Sequence, residues 1–340
     1  MSLKVYILLL NWNGWRDTIE CLESVFRSDY PDFQVIVCDN GSSDASLDHI
    51  RAWADGKEVA RAAPTATIAR LTDPPIPKPV AYLDVLSGSQ PKSALQATDA
   101  SLVLIQTGEN LGFAGGNNVG LRYVETRDDF AYVWLLNNDT VVEPDALSQL
   151  VARLSKEESG GICGSTLLYY HAPDTVQALG GAGFNKWRGK PTEIGKQTAR
   201  ASAVDAAAVE AGMAYVAGAS MLVSKHFLSA VGLLCEDYFL YFEELDWAMR
   251  ARGRFSLHYA PASVVYHKEG AAIGTGNSET RSALAEFHSC KSKLFLTRKF
   301  FPEALITVYL ATVLQVAKRL LSRDFSRARA LLNALLGLKA

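Results

Sequence analysis

Glu243, Glu244 and Asp246 bring three carboxylates into one turn at the start of a helically patterned segment, Glu243 to Arg252. Glu243 and Asp246 share a face, and Asp246 can pair with Arg250 at i,i+4. Glu244 is turned roughly 100° away, so this pair does not neutralise it. A carboxylate left free at a cleft is a candidate general base, although charge-rich helix starts are also common on solvated faces. Asp139 follows the apolar run Tyr132–Leu136 and could bind Mg²⁺ or Mn²⁺ through oxygen. Asn137 could add an amide oxygen, and His267, after the apolar run Ser263–Tyr266, an imidazole nitrogen. Asn-Asp pairs also form plain turns, and a lone His is often structural. Asp39 ends another apolar run, where a carboxylate suits the imide N–H of uracil or thymine, or else caps the following turn.

These residues need a scaffold that brings strand ends together. Val5–Leu10 and Gln34–Cys38 read as buried strands, separated by a helical pattern from Asp17 that carries Ile19, Leu22, Val25 and Phe26. A second helix follows with Leu47, Ile50 and Trp53, so the first 55 residues read β-α-β-α and predict a parallel sheet. Further strands are expected at Leu102–Ile105, Tyr132–Leu136, Gly161–Leu168, Ala214–Val223, Ser256–Tyr259 and Ser263–Tyr266. In such sheets ligands bind beyond the carboxyl ends of the strands. Four of these ends carry polar clusters: Asn11–Gly14 with Asn13, Asp39–Asp44, Gly108–Asn118 and Asn137–Thr140 with Asn138. The third holds Asn110, Gly112, Gly115 and Gly116 ahead of a short helix, and free N–H groups there would suit a phosphate. It matches neither GxGxxG nor a P-loop. Residues 62–100 carry six prolines among small residues and read as a surface insertion.

Composition sets the outer bounds. Of 340 residues, 49% are hydrophobic and 21% charged, which fits a globular protein and excludes a disordered chain. A net charge of −2 gives no whole-surface attraction for nucleic acid. Five scattered cysteines without a CxxC pair argue against a disulfide scaffold or thiolate zinc site and favour a reducing, cytoplasmic compartment. From Phe287 onward the chain looks helical, and its apolar segment Ala304–Ala317, at about 14 residues, is expected to be too short to cross a bilayer. The basic residues that follow suit either a solvated face or contact with an anionic membrane surface.

Taken in order, "NWNG", "VIVCDNGSSDAS", "GENLGFAGGNNVGL", "LLNNDTVVEPDAL", "YFEELDWAMRARG" and "YHKEG" resemble the family 2 glycosyltransferases, and within them the bacterial rhamnosyltransferase branch. The resemblance covers most of residues 4 to 300. It implies an α/β GT-A fold, a Rossmann-like mixed sheet, over residues 1–285, with residues 286–340 as a C-terminal helical extension. It further implies an inverting, metal-dependent transfer of a sugar, rhamnose first, from a dTDP- or UDP-sugar. The acceptor would be a hydroxyl of a glycan or lipid-linked molecule in cell-surface polysaccharide synthesis, at the inner face of the plasma membrane. Asp39 would read the base, with Asn11, Asn13 and Asn138 beside it, and the Asn110–Asn118 loop would hold the nucleotide. Asn137-Asn138-Asp139 stands where the family has Asp-x-Asp, so Asp139 and His267 would be the main ligands for Mg²⁺ or Mn²⁺. Glu244 matches the family's base, with Asp246 and Glu243 as alternatives. Lys291-Ser292 departs from the Arg-Asn of many relatives. Rival readings are an inactive nucleotide-sugar binding module, a sugar nucleotidyltransferase, and an NAD-dependent oxidoreductase, which the missing GxGxxG disfavours.

Overall fold

The structure is a computed structural model that describes residues 3–86, 100–268 and 282–339. Its strands are β1 (Val5–Asn11), β2 (Phe33–Asp39), β3 (Tyr82–Leu86), β4 (Leu102–Gln106), β5 (Tyr132–Asn137), β6 (Thr140–Val142), β7 (Gly160–Tyr169), β8 (Ala172–Leu179), β9 (Gly181–Asn185), β10 (Lys190–Glu193), β11 (Tyr215–Val216), β12 (Ser220–Ser224) and β13 (Ser256–His267). The helices are α1 (Trp15–Val25), α2 (Ser46–Ala54), α3 (Ala66–Thr72), α4 (Gly112–Glu125), α5 (Ala146–Leu154), α6 (Ala206–Gly212), α7 (Lys225–Val231), α8 (Glu243–Ala251), α9 (Ala283–Phe300), α10 (Leu305–Leu321) and α11 (Phe325–Leu336).

The expected α/β mixed sheet is present, in the order β3-β4-β2-β1-β5-β12-β7-β13-β6, with β8 beside β7. The five strands at the β3 end run parallel, while β12 is antiparallel to both of its neighbours. Strands β1 and β2 are apolar without a break because helices cover both faces, and separate core clusters line each side. Register pairs Asn11 with Asp39, so the two loops that follow start level with one another at the same sheet edge. A small sheet, β10-β9-β11, stands off the main one. Four of the five cysteines are buried, and Cys235 is partly exposed on the loop before α8.

Several expectations need correction. Residues 62–100 are not merely a surface insertion, because α3 buries Ile68 and Leu71, and β3 extends the sheet edge beside β4. The prolines instead shape a strap held by buried Glu23, which accepts from the Ile76 N–H at 2.8 Å and the Lys78 ammonium at 3.2 Å. The last of the six prolines, Pro91, falls in residues 87–99, which lie outside the described residues. The two strands expected at 256–266 are one strand, β13, with a register shift between Ala260 and Val264. The strand expected at Ala214–Val223 breaks into β11 and β12, leaving Ala217–Ala219 as a turn. The helical run Pro302–Leu321 is 20 residues long and holds an 18-residue window of mean hydropathy 1.5, so by length and composition it could cross a membrane, contrary to the expectation from the 14-residue apolar segment. The 285/286 boundary falls in the first turn of α9, whose side chains join the main body: the Ser292 hydroxyl donates to Leu240 O at 2.9 Å, and Lys299 pairs with Asp246.

Candidate active site

A cavity of about 600 Å³ opens beyond the carboxyl ends of β1 and β5. Its walls include Trp12 after β1, Asn137, Asn138 and Asp139 between β5 and β6, His267 ending β13, and the Glu243–Glu244 pair opening α8. Residues far apart in sequence thus converge because their strands end on one rim, as the open-sheet rule requires.

Asp139 is 8% exposed, and its Oδ1 lies 3.2 Å from His267 Nε2. Burial alone would raise its carboxyl, yet the His267 charge and hydrogen bond, with Lys268 nearby, hold it below the usual value. Gln177 Oε1 sits 2.8 Å from His267 Nδ1, which therefore carries the proton. That orients Nε2 at Asp139 with either a second proton or a lone pair facing a shared cation. Asn137 Nδ2 is 3.3 Å from the same nitrogen. A carboxylate oxygen and an oriented imidazole nitrogen fit a divalent cation of the Mg²⁺ or Mn²⁺ kind, with Gln177 as the outer partner. Among the described residues no group of three or more His, Cys, Asp and Glu comes together, so the protein would supply only part of a coordination shell.

Two successive aromatic residues, Tyr241 and Phe242, adopt φ of 69° and 70° just before α8. Backbone strain of this kind gathers at functional sites. It turns the chain so that Glu243 and Glu244 face the cavity. Burial, reinforced by the neighbouring Glu244 charge, pushes Glu243 well above the carboxylate range, and its Oε2 is buried without a hydrogen bond. Burial also pushes Glu244 up to about 7. Asp246 is instead fully buried between Arg250 at 2.7 Å and Lys299 at 2.5 Å. It is an ion-pair anchor for α8 and α9, which removes it as the alternative base.

Glu244 is seated by Gly218, whose backbone N–H it accepts. A Cβ at Gly218 would lie 2.2 Å from Glu244 Oε1. Gly218→Ala is therefore expected to expel the carboxylate and lower transfer roughly 10²–10³-fold, within the range of a lost general base. Steady-state assay with a parallel thermal melt checks this; a fully active, normally folded Ala variant would show that Glu244 needs no such seat.

The glycine segment differs most from expectation. Gly115 and Gly116 lie inside α4 rather than ahead of it, and α4 starts at Gly112. Gly112 has φ of +72°, and a Cβ there would meet Phe239 O at 2.2 Å. The N–H groups expected to be free for phosphate are occupied: Leu111 donates to Asn40, Gly112 to Asn110, and Phe113 to Phe239 O. Asn110 and Gly112 still line the cavity, whereas Asn118 bonds Leu234 and Glu236 away from it. Asp39 is 1% exposed and not on the wall. Its Oδ1 accepts from Asn11 at 2.7 Å and Ser42 at 2.5 Å, while Asn13 bonds Ser42 and Ser43. Asn138 donates to Thr18 at 2.9 Å. These residues lock the loops of the rim together rather than lining its interior, Asn138 excepted.

Tyr215 and Gly181 of the 165–240 stretch, where the sequence leads one to expect an acceptor pocket, line the cavity, but sequence reasoning did not single out Phe239, Tyr241 and His288, the last stacked on Phe239 at 4.5 Å. The signal for Phe239 and Tyr241 was the aromatic-rich run Tyr238–Phe242 immediately ahead of the acidic pair.

The mixed sheet that carries the acid–imidazole pair at one strand end and the buried carboxylate pair across the cleft has the GT-A fold, as comparison with solved structures shows. The fold is similar to a mannosyltransferase from Pyrobaculum calidifontis solved with GDP-Man and Mn²⁺, at TM-score 0.53 and 14% identity over 99% of this chain and 87% of that one. It is also similar to GalNAc-T7 solved with UDP, GalNAc and Mn²⁺, at TM-score 0.56 and 11% identity over 91% of this chain and 50% of that one. Residues 93–285, more than half of the chain, match the family described as "Glycosyltransferase like family 2", and residues 6–63 match "Glycosyl transferase family 2". The chain belongs to the family 2 glycosyltransferases. No protein of curated function matches it by sequence.

Proposed function

We propose that this protein moves a sugar from a nucleoside-diphosphate sugar to an acceptor hydroxyl, inverting the anomeric centre. The observation that carries the reading is Glu244, shifted to about 7 in the same cavity as Asp139 and His267. An acceptor hydroxyl keeps its proton at neutral pH, and a carboxylate near 7 is a competent base at working pH. Glu244 takes that proton as the hydroxyl oxygen bonds to the anomeric carbon and the bond to the diphosphate breaks. Displacement from the face opposite the leaving group gives inversion. Asp139 and His267 would hold a divalent cation, Mg²⁺ or Mn²⁺, which when bound neutralises charge on the departing diphosphate. Both structural relatives named above were solved with Mn²⁺ and a nucleotide, which supports this arrangement. Asp39 acts through the Asn11–Ser42 link, setting the rim on which the base rests.

The chain's motif series supports dTDP-rhamnose as the first donor to test, with UDP-sugars second, and a glycan or lipid-linked acceptor of cell-surface polysaccharide synthesis. Thermal shift with UDP, dTDP, GDP and NAD, each with and without Mn²⁺, tests the reading. Nucleotide at about 100 times its Kd adds about 2.7 kcal/mol, a shift of several degrees. A Mn²⁺-dependent shift with UDP or dTDP is expected. Stabilisation by NAD alone, or by none of them, would overturn it.

A further inference from the structure

The strongest feature outside the cleft is the outer face of α10. Ile306, Leu310, Leu314 and Leu321 are 75%, 59%, 71% and 87% exposed, and with Val313 and Leu320 they fall within about 120° around the helix. The opposite face is not available to a ligand. Val308 and Thr312 are fully buried, and Val308 belongs to a small core with Phe287 and Leu294 of α9 and Leu331 and Ala334 of α11. The apolar stripe is therefore a displayed surface on a helix already fixed to the protein.

Charge says what covers it. Residues 305–340 contain six Lys and Arg against one Asp, a local net charge of +5 in a chain that is −2 overall. Lys318, Arg323 and Arg329 are exposed. Asp324, the one acid, is committed to Arg319 and Arg327. A second copy of the chain would meet this face across a two-fold axis and set basic flank against basic flank. An anionic lipid surface satisfies both parts, taking the apolar stripe below its headgroups and the cations at them. A spanning role for α10 would strip Val308 and Thr312 from their packing against α9 and α11.

We propose that α10, with the start of α11, docks this protein onto an anionic membrane surface, lying in the plane of the interface. The dock and the cleft share a wall. Glu286 of α9 bonds Arg319 of α10 on one side, while Leu284 and His288 of the same helix line the cavity on the other. This proposal does not depend on which sugar or acceptor the cleft takes.

Sedimentation of the full chain with phosphatidylcholine vesicles, with and without phosphatidylglycerol, provides the test. Binding is expected with phosphatidylglycerol, falling with salt and weakening about fivefold for each basic residue removed in Lys318→Gln, Arg323→Gln and Arg329→Gln. Leu314→Ser with Leu321→Ser, both on exposed positions, should lower binding at least about tenfold at unchanged melting temperature. Three results would overturn the proposal. One is no binding to phosphatidylglycerol vesicles at low salt. The second is bound protein that alkaline washing cannot strip, which would make α10 an inserted segment. The third is a dimer in solution that the double Ser variant dissolves while vesicle binding is absent. Nucleotide-induced stabilisation, measured without lipid, reads the transferase site separately.

Discussion

Glu244→Gln is expected to cut transfer by roughly 10²–10⁴-fold, the range for losing a general base, while Mn²⁺-dependent nucleotide binding stays nearly unchanged. The amide keeps the shape and the contact region at Gly218 but cannot take a proton. In the unaltered protein the rate should rise with pH and level off above about 7, the value to which burial pushes this carboxyl. The stability effect has the opposite sign. Because the folded-state value lies above the ordinary 4.5, the native fold binds the proton more tightly than the unfolded chain does. Stability is therefore lost as pH rises from 4.5 to about 7, when the unfolded carboxyl has ionised and the folded one is following. The Gln variant lacks this loss. Its melting temperature should match the parent near pH 4 and exceed it by a few degrees above pH 7. Unchanged turnover would exclude Glu244 as the base and move the role to Glu243, since Asp246 is locked between Arg250 and Lys299.

Asp139→Ala should abolish the Mn²⁺-dependent part of nucleotide binding and lower transfer by about 10³-fold or more, several kcal/mol of lost charge stabilisation. His267→Asn should cause a smaller loss, because it leaves the carboxylate in place. Gln177→Leu should weaken metal affinity about 10–100-fold by releasing the imidazole from its oriented tautomer. Calorimetric titration of Mn²⁺ in the presence of UDP or dTDP separates the three. Equal Mn²⁺ affinity in all variants would place the cation elsewhere.

Much of the scaffold was legible because buried parallel strands announce themselves as unbroken apolar runs. Val5–Leu10, Gln34–Cys38 and Tyr132–Leu136 needed no further signal, and the polar residues that end them do share one rim. What stayed hidden was decided by contacts over long separations. Proline content concealed α3 and β3, and the strap between them is held by a buried Glu23 about fifty residues upstream. Periodicity joined β11 to β12 across the turn that carries Gly218, and so gave no sign that this residue seats Glu244. The glycines of Gly112–Gly120 signalled close approach correctly but not the object approached. Gly116 and Gly120 lie against Leu10 and Leu8 of β1, so that α4 packs directly on the sheet. The acidic cluster showed three carboxylates of one chemical type. Only their surroundings separate the buried Glu243, the proposed base Glu244 and the ion-paired Asp246.

The distribution of thiols has a practical consequence. Cys21 and Cys38 are pushed up to about 12 and Cys290 to about 11 by burial, and Cys163 is raised further still, so these sulfurs remain protonated and shielded. Burial raises the Cys235 thiol as well, but it alone among the five is partly exposed. It lies seven residues before Phe242, on the loop that delivers Phe239 and Tyr241 to the cavity wall. A maleimide dye or spin label added to the unmodified protein would therefore settle at one position. The native sequence carries its own attachment point for watching that wall respond to substrate, with no cysteine to remove.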